Sequence, residues 1–355
     1  MIRVAYLCLL VVAASTSVLV PAVQAKALRS PAIDAMIAIS ETASRNFQDN
    51  AFDKLEAQAK AYRDKNYRIP NGDYALTLFY DSMIWHSARG DEKNARLAQT
   101  EKWMRRYSRS PTPYVAHVIQ LINSYHGLGQ LIAVNEQAGL AANAGRYKEK
   151  AKRYLADAQR LLTNRRSIAA KDPYYFVVSM MVSSLRGDDE KKLMKTFEAG
   201  LRSAPGYSPF HKSALVAFEQ LQPGNKQRIE DLVRRIVAVQ PEDEKAITYA
   251  QAYWLLAGHY GRIDTMFRTW AIDWSLFKQG MADTLVRYPD ESNGSWFARF
   301  ACLAGDEAKI RELWSMAERF PHPGIWNSPF EFQMCQAVAE SKADESTTPA
   351  ELPDL

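Results

Sequence analysis

The 355-residue sequence predicts an all-α fold: an irregular, tetratricopeptide-like array of helical hairpins, an α-solenoid open or curled toward a toroid. Three observations lead there. Apolar residues recur at steps of three and four through most of the chain, no alternating strand pattern extends beyond a few residues, and prolines fall at the joints between periodic segments. A composition of 47% hydrophobic and 24% charged residues, with 16 Gly and 16 Pro, excludes a disordered, collagen-like or multi-span membrane chain.

Taken in order, residues 1–25 read as a cleaved signal peptide. Arg3 supplies the basic start, Val4 to Val20 the apolar run, and Val23-Gln24-Ala25 the small residues before a cut at Lys26. A membrane anchor is the alternative, because the run approaches the ~20 residues that span a bilayer. The break at Pro21 favours cleavage, so the protein is expected to be periplasmic or secreted, with no transmembrane anchor left. Cys8 departs with the leader.

Residues 26–342 read as one helical-repeat domain. Each unit is an apolar, aromatic helix, a turn bearing Gly or Asp, a charged helix and then a proline. Such pairs fall at about 73–107, 113–163, 173–202, 209–238, 243–271 and 293–319, with Pro111, Pro173, Pro205, Pro241 and Pro321 at the joints. Tyr147, Ala151, Tyr154, Leu155, Ala158, Leu161 and Leu162 form the clearest stripe. Asp172-Pro173 is a helix start, Gly187 a helix stop, and Asp188-Asp189 opens the helix carrying Leu193, Phe197 and Leu201. The last pair is nearest a tetratricopeptide unit, with Trp296, Phe297, Phe300 and Ala301, the Gly305-Asp306 turn, then Leu313, Ala317 and Pro321. Residues 343–355 add four acids and no base and read as a disordered tail.

The formal charge of +5 falls to +4 when Arg3 leaves with the leader, and the four tail acids leave +8 on the body. That balance suits acidic partners or an anionic envelope polymer, although a basic helix face such as Lys148, Lys152, Arg153 and Arg160 is ordinarily just solvated. No nucleic-acid partner is expected. Cys302 and Cys335 are the two cysteines of the exported chain and form either a disulfide or two buried thiols; no C-x-x-C supports a redox role.

The chemistry search finds no catalytic motif, and no cofactor or metal is expected. None of His86, His117, His126, His211, His259 and His322 lies four residues from another, which excludes a zincin helix. Gly206-Tyr207-Ser208-Pro209-Phe210 lacks the last glycine of a nucleophile elbow, and Gly127-Leu128-Gly129 reads as a helix terminus, not a dinucleotide loop. Asp81 beside Tyr80 and Asp273 beside Trp274 are the first acids to inspect for sugar chemistry, with capping or local pairing as the ordinary alternative. His126 and His259 are read as ending two apolar helices. Aromatics cluster on the first helices of the pairs, which line the concave face in hairpin arrays. Tyr74, Tyr80, Trp85, Tyr114, Tyr125, Tyr175 and Trp254 are therefore the candidate ligand-binding residues, against the alternative that they are core knobs.

Several short runs occur in a recognisable order: Trp103 with Tyr107-Ser108-Arg109-Ser110-Pro111 and Ala116; Tyr154-Leu155 with Ala158; Lys171-Asp172-Pro173-Tyr174-Tyr175; Ala204-Pro205-Gly206-Tyr207; Asp273-Trp274; and Arg287-Tyr288-Pro289-Asp290-Glu291-Ser292-Asn293 leading to Ala301-Cys302-Leu303-Ala304-Gly305-Asp306. Together they resemble the bacterial domain-of-unknown-function family numbered 4034 over most of residues 50–318. The resemblance implies a helical-repeat fold and no activity. After Leu221 this chain has Gln222-Pro223-Gly224-Asn225 where members often carry proline followed by Trp-Gly, so a groove lined by that tryptophan would be altered here. The expected function is a non-enzymatic module binding a protein or peptide partner in the envelope. The alternatives are a helical-toroid enzyme acting on envelope polysaccharide and a structural subunit of an envelope complex.

Overall fold

The helices begin where capping chemistry places them. Asp189, Asp273 and Asp306 each accept a backbone N–H from the first turn of the following helix, while Gly187 and Gly305 take the positive φ that ends the preceding one. A computed structural model describes residues 30–84 and 91–341. The leader, Trp85, His86 and the tail from 343 lie outside the described residues.

The described chain is all-α, with seventeen α-helices. They are α1 (Pro31–Gln48), α2 (Phe52–Asp64), α3 (Ala75–Ile84), α4 (Asp91–Arg106), α5 (Thr112–Gln137), α6 (Ala141–Asn164), α7 (Arg166–Ala169), α8 (Tyr174–Leu185) and α9 (Glu190–Ser203). There follow α10 (Ser208–Leu221), α11 (Lys226–Ala238), α12 (Glu242–His259), α13 (Met266–Thr269), α14 (Trp274–Arg287), α15 (Glu291–Leu303), α16 (Glu307–Arg319) and α17 (Pro329–Glu340). Among these residues the β-type pairing is a single bridge between Arg68 and Tyr74. No described helix is long and apolar enough to cross a membrane.

Helices α3, α5, α8, α10 and α12 pack each on the next as one layer, and α4, α6, α9 and α11 cover it. This two-layer order follows from composition. Tyr174 to Val182 is apolar on nearly every side and must be enclosed, whereas α9 buries Leu193, Phe197 and Leu201 on one stripe and leaves its lysines to water. Gly200 lets the layers meet: a Cβ there would stand 2.3 Å from the Phe210 ring.

The two ends of the array touch. The Ala32 N–H donates to Asp290 Oδ2 at 3.2 Å, and Asn293 Nδ2 donates to the Asn71 carbonyl at 3.1 Å. Gly72, at φ +94°, leaves room for the Tyr288 ring, which would sit 2.8 Å from any Cβ. Cys302 and Cys335 form a disulfide that ties α15 to α17.

Two expectations are corrected. Gly127 and Gly129 lie inside α5, which runs on to Gln137, so His126 ends no helix; the turn comes at Gly139, φ +71°. A mid-helix glycine costs about 1 kcal/mol, which the unbroken buried run from Thr112 to Ile122 outweighs. The pair at 243–271 also lacks a full second helix. After α12, a single 3₁₀ turn at Ile263–Thr265 and the four-residue α13 end at Trp270, whose extended backbone buries its ring. Helix α14 takes the place against α12, approaching so closely that a Cβ on Gly280 would stand 2.0 Å from the Ala246 carbonyl oxygen.

Candidate binding site on the inner helix layer

The segment between α2 and α3 leads into α3, reaches the start of α10 through Tyr74 and touches the start of α15 through Asn71. Arg68 Nη1 donates to the Gly72 carbonyl at 3.0 Å, and its guanidinium carbon lies 3.8 Å from the centre of the Tyr74 ring. The Tyr74 hydroxyl donates to the Gly206 carbonyl at the α9–α10 corner, and the Tyr74 and Tyr207 rings meet edge to face at 4.6 Å. Tyr207 and Thr77 pair their hydroxyls at 2.7 Å. Beneath this strap, Asp172 is wholly buried and accepts from Arg63 Nη1 at 2.6 Å, the Tyr80 hydroxyl at 2.7 Å and the Tyr174 N–H at 2.9 Å. Desolvation raises its carboxyl above the usual range in spite of these donors.

Thr77 and Asp81 are spaced by four on one face of α3, and Asp73 lies in the strap just before the helix begins. That face is polar on an otherwise apolar helix. Asp81 is half-buried and accepts the Tyr174 hydroxyl at 2.7 Å; burial lifts its pKa, and Tyr174 and the Lys212 charge partly oppose this. Asp73 touches water, yet the surrounding protein still desolvates its carboxylate and raises its pKa, against the Asn71 hydrogen bond and the charges of Arg68 and Lys212. Asp73, Asp81 and Lys212 are near enough for their charges to act on one another, and the polar cluster they form beside the strap is called the recess. His259, at the end of α12, shows the same combination as Asp73: it is exposed, while burial and then Lys212 hold its pKa below the usual value. Lys212 on α10 is half-buried, and among the described residues no carboxylate lies within ion-pair distance of it. The recess thus presents two desolvated carboxyls and one cation with no direct partner.

Most of the aromatic candidates are placed elsewhere. Tyr80, Tyr114 and Tyr175 are core residues, their hydroxyls committed to Asp172, the Ser108 carbonyl and the Leu162 carbonyl. Trp254 is half-buried between Trp296 and Phe300, with ring centres at 5.3 and 5.5 Å. Tyr125 borders an outer groove between α5 and α6. Tyr74 alone of the described candidates borders the recess, and its ring is buried too. The physical reason is that an aromatic at helical spacing gains more by filling the space between helices than by facing water. Of the inspected acids, Asp273 is the N-cap of α14 and Asp81 faces the recess. The cues to Asp73, Thr77 and Lys212 are lone polar positions on apolar helices or just before one.

Among the described residues no group of three or more His, Cys, Asp or Glu is arranged to hold a metal. Comparison of the chain with family models, with curated proteins and with solved structures finds no match.

Proposed function

We propose that this chain is an exported helical-repeat module that binds a protein or peptide partner in the cell envelope through the recess, and that it belongs to the family numbered 4034 that its motifs resemble. The observation that carries the reading is Lys212: a cation held without an ion-pair partner opposite Asp73 and Asp81 leaves charges of both signs to be met from outside. A peptide supplies both, as ammonium and carboxylate groups, together with backbone amides for the tyrosine and threonine hydroxyls. The test is gentle cross-linking of the tagged protein in its native host, comparing wild type with a K212Q/D81N double variant that retains the wild-type melting temperature. A stoichiometric partner held by wild type through a salt wash and lost by the variant supports the proposal. Equal capture by both, or none by wild type, rejects it.

The meeting of the array's ends favours a second reading, a toroid enzyme acting on envelope polysaccharide. A glycosidase needs one carboxyl protonated and one ionised, hence environments that push their pKa values apart. Burial moves Asp73 and Asp81 in the same direction, which weighs toward binding. Release of reducing sugar from envelope glycan by wild type and not by D81N would reverse that preference.

A further inference from the structure

The outer side of the array carries a second concavity, walled by α6 and α7 on one flank and α9 on the other, with α8 as its floor. It encloses about 460 Å³. Five cations line it, Arg166, Arg186, Lys192, Lys195 and Arg202, against the single carboxylate of Asp188. The lining therefore carries a formal charge of +4, against +8 for the whole body between leader and tail.

The cations divide by their partners. Asp188 lies 3.8 Å from Arg186 and 3.7 Å from Lys192, and it also accepts the Ser183 hydroxyl at 2.8 Å. Arg166, Lys195 and Arg202 have no carboxylate within ion-pair distance among the described residues. Lys192, Lys195 and Arg202 follow one another along one face of α9 at offsets of three and seven, a row about 15 Å long at the rise of an α-helix. Like charges in a row repel one another, and an extended anion relieves that repulsion along its length. By contrast, the neighbouring groove over α5 and α6 has its Lys148, Lys152 and Arg160 already paired with Glu136, Glu149 and Asp157.

Two features select the kind of anion. Of the longer helices that border the groove, α8 and α9 have their N-termini capped by Asp172 and Asp189, which leaves neither as a backbone cradle for a phosphate. Anion recognition falls to side-chain cations, and the Arg fork pairs with a carboxylate as readily as with a phosphate. The floor adds Tyr175, Phe176 and the Ser179 hydroxyl, and the α9 flank adds the Thr196 hydroxyl; each hydroxyl donates to a backbone carbonyl of its own helix. Their oxygens remain open as acceptors for sugar hydroxyls.

We propose that this groove binds a linear polysaccharide bearing carboxylates along its chain, at a site separate from the inner recess and independent of what the recess binds. The probe is a fluorescently labelled oligogalacturonate titrated with the intact protein at low ionic strength and followed by anisotropy. Binding should weaken as salt is added, and the K195Q/R202Q variant, whose changes break no ion pair, should bind about tenfold more weakly or worse. R166Q gives an independent reading should the double variant fail to fold. K54Q, an exposed lysine on α2, should bind as wild type does. The proposal is overturned if wild type does not bind the probe, if an uncharged dextran oligomer binds equally well, or if K195Q/R202Q and R166Q bind like wild type. It is also overturned if single-stranded DNA or anionic phospholipid vesicles bind in preference to the oligogalacturonate.

Discussion

Mild acid should destabilise this protein through a histidine. His211 on α10 is 1% exposed, its Nε2 hydrogen-bonds the Pro205 carbonyl at 2.7 Å, and burial, with the Arg68 charge in support, pushes its pKa down to about 4 from 6.5. Because the folded value is depressed, the contribution of the neutral ring is complete above about pH 6.5 and is lost as pH falls toward about 4. The difference of about 2.5 pH units corresponds to about 3 kcal/mol. His117, His126 and His259 are lowered in the same direction and add to the loss. The desolvated acids act oppositely: Glu56, Asp73, Asp81 and Asp172 all have raised pKa values, so their contributions are fully present below the unfolded carboxyl range and fade as pH rises. The discriminating perturbation is H211Q, since the glutamine amide keeps a donor for Pro205 and does not titrate. Urea unfolding by circular dichroism at intervals from about pH 7 to about pH 4 should give a profile flatter than wild type by about 3 kcal/mol across that window. Parallel profiles for the two proteins would refute the reasoning, whatever the offset between them.

Three further outcomes are expected. D172A removes the partner of a largely buried Arg63 and orphans the Tyr80 hydroxyl, so urea unfolding should show a loss of about 3–5 kcal/mol, with D172N losing less. G280A drives a Cβ into the Ala246 carbonyl oxygen and should cost at least about 1–3 kcal/mol, read as a lowered melting temperature with unchanged helicity at low temperature. Reduction of the Cys302–Cys335 bridge, which spans 33 residues, should remove up to about 4 kcal/mol by the chain-entropy relation. Because Cys335 is the one fully buried residue of α17, hydrogen exchange should show this helix opening first; uniform exchange along the chain would contradict that.

How much of this was legible in the sequence depended on the range over which each feature is decided. Helix position is local, and Asp189, Asp273, Asp306, Gly187 and Gly305 marked starts and stops that the structure keeps. Glycine misled at Gly127, where propensity argued for a terminus and the burial of α5 overrode it. The recess was half legible: Asp81 stood out beside Tyr80, but the aromatic residues around it drew attention toward side chains that fill the core. Periodicity tells that a face is apolar, not whether a neighbouring helix or a ligand will cover it. The sequence left the array open or curled toward a toroid, and the contacts that close it could not be read, since they join Ala32 to Asp290 and Asn71 to Asn293 across 258 and 222 residues. Yet the residues responsible were already conspicuous. The run from Arg287 to Asn293 supplies Tyr288, Asp290 and Asn293 to that junction, Ala204 to Tyr207 supplies the corner that receives Tyr74, and Lys171 to Tyr175 supplies the buried Asp172. Each of these short polar runs lies at the start of a helix, α15, α10 or α8, where side chains must satisfy backbone groups that the helix leaves unpaired. Corners therefore carry the specific hydrogen bonds that bring distant units together, while the apolar stripes between them determine only that the helices stack.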